Sequence, residues 1–336
     1  MRVIRPVKLS DLKALQSFAE RSGVGMTHLP NQETLLRSKL QNSIASFTTP
    51  SGPLPKGDYL FVLTNSDGDQ PGGTCGINAS AGSIDPFHVF SVEKMPSLSP
   101  RIPPSSENRL LKLKAYQNGP TEICALFLLP ELRSGGWGKL LSWSRFLFMA
   151  SFPDRFQSVS FANMRGFIEN NSSIFWDGLG RCFLNMDFAE MMKFRLSNQI
   201  QASEIFPNFP IPVALLSKQA QQAIGEVYAQ SKPALAMLLA EGFAYAHEID
   251  PYDGGPIIKA NTADILAVKN SVIGTVSQIE PTEQDSRQAI LCNAKLDFRA
   301  CYGSVKVISG NNIALANDVA SALQVNVGDN VRYLDM

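Results

Sequence analysis

Residues 133–139 read Arg-Ser-Gly-Gly-Trp-Gly-Lys, the stretch of this 336-residue chain best suited to hold an anion. Gly135, Gly136 and Gly138 let the backbone approach a ligand closely and turn its N–H groups toward it. A helix that starts just after such a loop adds unpaired N–H groups and the positive end of its dipole. Arg133 and Lys139 bring side-chain charge. Arg133, Ser134, Gly135, Gly136, Trp137, Gly138 and Lys139 are therefore candidates to grip the pyrophosphate of a nucleotide cofactor. The segment is not a P-loop, because Leu140 follows Gly138-Lys139, and the fingerprint G-x-G-x-x-G is absent. Taken alone, R-x-x-G-x-G also serves as an ordinary strand-to-helix turn.

Other chemistry-bearing residues are sparse. The five cysteines (Cys75, Cys124, Cys182, Cys292 and Cys301) are scattered, and the histidines are His28, His88 and His247. No CxxC pair occurs, so no metal is expected. Unpaired cysteines in a chain that opens without an apolar signal core read as reduced thiols of a cytoplasmic protein.

The elements that position the loop are legible around it. Residues 123–129 (ICALFLL) form a continuous apolar run, as in a strand buried on both faces. Residues 139–152 place Leu140, Leu141, Ser144 and Phe148 at helical spacing. Residues 159–164 make a further short strand. The spacing then predicts a helix over 171–179 ended by Gly180, and a strand over 181–188. Residues 233–240, Gly242 and 243–249 follow the same cadence. FWDGLGRCF and MLLAEGFAY thus look like one weak repeat, too widely spaced for a short solenoid and suited to a duplicated half-domain.

Upstream, a strand is expected over 3–7. A helix follows, capped by Ser10 or Asp11, with Leu12, Leu15, Phe18 and Ala19 on one face. A loop over 23–30, a helix over 32–47 and a hairpin of 59–63 with 74–79 come next. Residues 81–120, with prolines and serines gathered at 96–106, predict a long, partly irregular excursion. From about residue 271, short β-like runs alternate with turns, which predicts a small β-rich C-terminal subdomain.

Composition narrows the partners. Thirty basic and 30 acidic side chains give a formal net charge of zero, so no bulk attraction to nucleic acid or anionic membranes is expected. No run reaches the roughly 18 apolar residues of a membrane span; the most apolar helical run is broken by Arg145. A hydrophobic share of 44% and a charged share of 18% exclude a disordered chain. The length suggests about two domains.

Strand, R-x-x-G-x-G loop, helix, strand, then a Gly-terminated helix resembles the acyl-CoA N-acyltransferase (Gcn5-related) superfamily of the histone acetyltransferases. The resemblance implies an α+β fold, a mixed sheet with helices on both faces. A division follows into an acyltransferase core over 1–200, a second degenerate half-repeat over 201–268 and the β-rich subdomain over 269–336. It also implies that the pantetheine arm of CoA pairs along Leu126, Phe127 and Leu128.

The chain more narrowly resembles the bacterial arginine N-succinyltransferases. The shared blocks are VIRPV, the Gly-rich T-x-L-P segment at 25–30, the strand at 59–63, Glu122 with 124–127, and the Arg133 loop. SRFLFMA, Met164-Arg165-Gly166, FW with LG at 175–180, PALAML with EGF, and DGGP complete the set. The resemblance implies transfer of succinyl from succinyl-CoA to the α-amino group of arginine, or of ornithine. It also implies a homo- or hetero-oligomer.

Such a reaction needs a base or water chain for the α-ammonium, N–H groups for the tetrahedral oxyanion, and a proton for the leaving thiolate. Attack in this superfamily is direct, so Cys124 reads as a core residue. Where the family carries a proton-donating histidine, this chain has Tyr228; a tyrosine hydroxyl can protonate a thiolate, and the alternative is a surface loop residue. His247 can stand in for the histidine or be structural. Arg165 can hold the distal carboxylate of succinyl, or form a strand-end ion pair. Asp250 and Asp253 can hold a cationic acceptor, or DGGP can be turn geometry. Trp137 covers the cofactor or stands exposed. After Asp85-Pro86 the chain reads Phe87-His88-Val89-Phe90, unlike the family, at a segment that could line the acceptor site. This leaves open an acyltransferase with another amine acceptor, or a CoA-binding subunit without catalysis.

Overall fold

The computed structural model describes every residue except 51, 55, 66–67, 96–107, 198 and 281–285. The strands of its first half are β1 (Arg2–Pro6), β2 (Asp58–Asn65), β3 (Gly68–Asn78), β4 (Phe87–Lys94), β5 (Arg109–Tyr116), β6 (Thr121–Leu128) and β7 (Val159–Asn163). Their helices are α1 (Leu12–Ser22), α2 (Glu33–Thr48) and α3 (Trp137–Ser151). Side-chain alternation along β2 sets the layers. Leu60 and Val62 face α1 and α2, packing with Leu15, Leu36 and Leu40. Phe61 and Leu63 face α3, packing with Leu140, Phe146 and Phe148. The result is the mixed sheet with helices on both faces that the resemblance implied. Ser43 and Ser46 of α2 accept the N–H groups of Leu60 and Asp58 at 2.8 and 3.0 Å, so α2 caps the end of β2.

Two irregularities of β6 shape the molecule. First, β6 pairs in parallel with β7 only at Thr121↔Ser160 and Glu122↔Phe161. Beyond that the strands part like a wedge, and β7 continues its pairing with Pro256–Asn261 instead. Second, Gly76 pairs with Cys124 and Thr74 with Phe127, so Ala125 and Leu126 together oppose Cys75. Ala125 takes φ +53° in this bulge.

Several expectations are corrected. Within the partly irregular excursion expected over 81–120, β4 and β5 form a regular hairpin from Phe87↔Tyr116 to Lys94↔Arg109 that was not foreseen. Leu111-Lys112-Leu113-Lys114 alternates as a half-buried strand does, a short signal overlooked beside the Pro/Ser cluster. The Pro/Ser cluster at 96–106 lies outside the described residues. Asp11 does not cap α1 with its side chain; its carboxylate pairs with Arg5 at 2.7 and 2.9 Å. The helix expected over 171–179 begins later. Ile168–Glu169 and Ser172–Ser173 first form a small hairpin, with Asn170 and Asn171 at positive φ. Wide helical turns then cover Trp176–Gly180 and run into Arg181–Phe183, and Phe188–Leu196 is a helix, so no strand occupies 181–188. Gly180 is helical, and a Cβ there would sit 2.1 Å from the Trp176 ring. It is a packing glycine. Gly242, at φ +97°, does end its helix.

The strands Ala244–Ile249 and Pro256–Asn261 lie between β4 and β7 in the same sheet. Past residue 271, five strands close on themselves. Ala300–Ser309 pairs with both Arg287–Cys292 and Asn312–Ala316, while Val272–Glu280 joins Asn312–Ala316 to Asn330–Asp335. Val276, Leu291, Val305, Ile313 and Val331 fill this barrel. It joins the main sheet through Ile4↔Ala300. Among the described residues, no helix is long and apolar enough to cross a membrane.

Candidate functional site

The wedge between β6 and β7 opens a cavity of about 640 Å³. Residues 122–128 line one side and 162–165 the other, while 21–22 and 25–28 of the segment between α1 and α2 form a third wall. Arg133, Gly136, Gly138 and Lys139 stand at the mouth; Tyr228, Asp250 and Asp253 close the far side. Ser134, Gly135 and Trp137 do not line it.

The loop has the geometry of an anion grip. Gly135 and Gly136 take φ +84° and +79°, a left-handed conformation that glycine adopts without strain. Lys139 and Leu140 N–H both donate to Gly136 O, so the amides of Trp137 and Gly138 precede the first intrahelical donor. The carbonyl of Gly136 also accepts from the Tyr302 hydroxyl at 2.7 Å, which ties the barrel to the loop. Trp137 packs against Tyr302, ring centroids 5.7 Å apart, with Arg2 5.5 Å above its ring. It anchors the loop. Arg133 Nε donates to Leu128 O at 3.3 Å, and Lys139 Nζ sits 3.8 Å from the Trp143 ring centre.

Behind the bulge lies Arg145, whose side chain sequence reading treated only as an interruption. It is 1% exposed. Its Nη1 donates to Cys124 O at 3.3 Å and its Nη2 to Ser142 Oγ at 3.0 Å. Burial lowers its pKa, yet an arginine stays charged, so a cation stands behind the strand that lines the cavity.

Among the described residues, Arg165 makes no strand-end ion pair. Its Nη1 donates to Ser22 O at 2.8 Å and its Nη2 to Val24 O, so it ties the α1–α2 segment to the end of β7. Gly25 is required for that approach: a Cβ there would lie 2.7 Å from Arg165 Nε. The guanidinium stacks 4.4 Å from the Tyr228 ring centre, and Tyr228 N donates to Arg165 O at 2.9 Å.

Asp250 is saturated. Arg195 donates to its two oxygens at 3.2 and 2.8 Å, Asn163 Nδ2 at 2.7 Å and Tyr252 N at 2.8 Å. Burial works against its ionised form, but Arg195 outweighs burial and holds the pKa low. Arg195, from Phe188–Leu196, gave no sequence signal because it stands 55 residues from its partner. Asp253 differs. Burial, then the negative charge of Asp250, pushes its pKa up to about 7. Its Oδ1 accepts Gly255 N at 2.8 Å.

That shift has a stability consequence. An unfolded Asp titrates near ~3.9, so between that pH and about 7 the folded state holds the extra proton. Stability is therefore lost as pH rises through this window. Asp253→Asn removes the penalty and keeps the Oδ1 acceptor. We expect it to raise Tm at pH 8, on the order of 2 °C, and by less at pH 5. Thermal scans at both pH values check this; an equal shift at both would exclude titration of Asp253 as the cause.

A pair without an assigned role completes the cavity. His28 Nε2 and Glu122 Oε1 lie 2.8 Å apart, with side chains 24% and 4% exposed. Cys124 stands close by as well. The one available sequence signal was a carboxylate at the head of an apolar strand. His247, by contrast, is exposed in a bulge of Ala244–Ile249 and away from the cavity. Within the segment from Phe87 to Phe90, Val89 and Phe90 are core and Phe87 and His88 are half-buried; Phe87 packs on Phe161 at 5.1 Å and Phe90 on Phe206 at 5.0 Å.

Comparison with known proteins agrees with this architecture over the whole chain. The family model for the arginine N-succinyltransferase beta subunit matches residues 2–267, and the model for its C-terminal domain matches 272–335. Arginine N-succinyltransferases of Salmonella typhimurium and Salmonella newport are each 37% identical over 340 residues, covering 99% of this chain and 97% of theirs. The solved structure of arginine/ornithine succinyltransferase subunit AI from Pseudomonas aeruginosa superposes with a TM-score of 0.88 at 31% identity, over 100% of this chain and 98% of that one. A wedge-shaped cavity ended by a glycine loop, on a fold shared from end to end, places the chain in the arginine N-succinyltransferase family.

Proposed function

We propose that the protein transfers the succinyl group of succinyl-CoA to the α-amino group of arginine or ornithine, by direct attack on the thioester. The observation that carries this reading is the wedge: two strands part beyond Glu122, and a helix N-terminus with a glycine loop stands at the open end. The pyrophosphate lies against the amides of Gly136, Trp137 and Gly138, with Arg133 and Lys139 beside it. The pantetheine arm runs back along Leu128, Phe127 and Leu126. From Leu128 to Glu122 the strand spans roughly 20 Å, so the thioester comes to rest near the bulge. Amides freed by the bulge receive the developing oxyanion, with the Arg145 cation behind them.

Asp253 faces the same cavity, and a carboxyl with a pKa of about 7 suits removal of a proton from an ammonium near neutrality. Asp250 positions Asp253 and Arg195 rather than contacting the acceptor. Arg165 Nε, buried and without a partner among the described residues, is the donor we assign to the distal carboxylate. The departing sulfur needs a proton, and two side chains facing the cavity can supply it, the Tyr228 hydroxyl and the His28 imidazole. The match to a family described as a beta subunit supports assembly with like or unlike subunits. Four buried free cysteines suit a reducing, cytoplasmic setting.

Thiol release from succinyl-CoA, followed across arginine, ornithine and lysine, tests this reading. We expect release that depends on arginine or ornithine, with an N-succinyl product by mass spectrometry. Release independent of any acceptor would sink it. Dependence on an unrelated amine would reassign the acceptor.

A further inference from the structure

Granting acyl transfer in this cavity, we propose that His28, held by Glu122, is the acid that protonates the departing CoA sulfur. Glu122 occupies the last paired position before β6 and β7 part, three residues ahead of Ala125 in the bulge. An arm lying along β6 therefore brings its thioester to the His28–Glu122 pair. The imidazole has an orienting partner: Glu122 Oε1 engages Nε2 at 2.8 Å, which leaves Nδ1 to face another group. Tyr228 is held differently. Arg165 covers its ring and its own backbone amide fixes the chain, and neither contact aims the hydroxyl.

The step balances. The ammonium gives one proton to Asp253, the freed amine forms the N–C bond, and the nitrogen sheds its second proton to solvent as the tetrahedral intermediate collapses. When the C–S bond breaks, its electron pair goes to sulfur, which takes the proton from His28 and leaves as a thiol. Neutral His28 regains a proton from solvent through its partly exposed side.

The charge state agrees with an acid. Burial by itself would lower the His28 pKa, but Cys124 and Glu122 outweigh it and hold the value well above the usual imidazole range. Other charges near the pair are Lys39 of α2, bound to Asp58 of β2 at 2.5 Å, Arg145 of α3 behind the bulge, and Arg21 and Arg165 on the cavity wall. Glu122 acts through His28 and is a positioning residue.

The pH dependence of kcat tests the assignment. In the wild type, kcat falls as pH rises through the His28 pKa. His28→Gln should lower kcat about 100-fold, lose that alkaline limb and bind CoA within twofold of wild type. Glu122→Gln should move the limb to lower pH, because the imidazolium loses its counter-charge; a purely structural role would not move it. His28→Gln within twofold of wild-type kcat, or retaining the limb, overturns the proposal. So does a limb abolished by Tyr228→Phe and kept in His28→Gln. Wild-type turnover alongside either result leaves the functional reading intact, whereas a wild type that releases no thiol overturns both.

Discussion

Gly136→Glu abolishes CoA binding. Three effects act together. Gly136 lies at φ +79°, where a non-glycine residue costs about 1–2 kcal/mol. A Cβ would meet the Tyr302 hydroxyl at 3.2 Å, against the atom that holds the Gly136 carbonyl. The new carboxylate would occupy the positive end of α3, where we place the pyrophosphate, and repel it. Together these should weaken binding more than 100-fold. Calorimetry with CoA measures it, with circular dichroism showing that the fold persists. Gly136→Ala carries the backbone cost without the charge and should keep most of the affinity. Unchanged affinity in the glutamate variant would remove the loop from the donor site.

The second large effect is on stability. Asp250→Ala leaves Arg195 half-enclosed without its counter-charge and strands the Asn163 amide and Tyr252 N–H that Asp250 satisfies. Breaking one side of such a pair costs about 3–5 kcal/mol. Urea denaturation should show a midpoint shift of that size with an unchanged slope. The same substitution removes the charge that helps raise Asp253, so the Asp253 pKa should fall and the acid limb of activity should move down with it. A loss below 1 kcal/mol would mean that Arg195 finds another partner.

The two predictions draw on residues of unequal legibility. The loop could be read from 133–139 because its chemistry is contiguous: glycines, flanking cations, a strand before and a helix after. Asp250 and Asp253 were noticed as acidic residues, but the division of labour between them depends on Arg195, which arrives from a distant helix. Arg165 was read only as a partner for a carboxylate because nothing in the sequence tells that carbonyls of residues 22 and 24 reach it. His28 was passed over for the same reason. Its partner Glu122 is 94 residues away, and a lone histidine in a loop has no pattern. For the fold, apolar runs buried on both faces, such as β6, were clear. The β4–β5 hairpin was not, although Leu111-Lys112-Leu113-Lys114 alternates, because the two strands flank the Pro/Ser cluster at 96–106. Gly180 read as a stop signal, although it makes room for the Trp176 ring.

The pairing of β1 has a consequence for how the chain is made. β1 leaves the ribosome first and can pair with β2 early, but its other edge pairs with Ala300. The Gly136 carbonyl likewise waits for Tyr302. At about 5–20 residues per second, that interval is on the order of tens of seconds. Throughout it the nascent sheet carries an open edge, the kind of surface on which strands from other chains add. The barrel, made last, closes that edge and fastens the anion loop with a single strand. A ribosome that stops short of residue 300 thus releases a product with a sticky edge and an unfastened glycine loop.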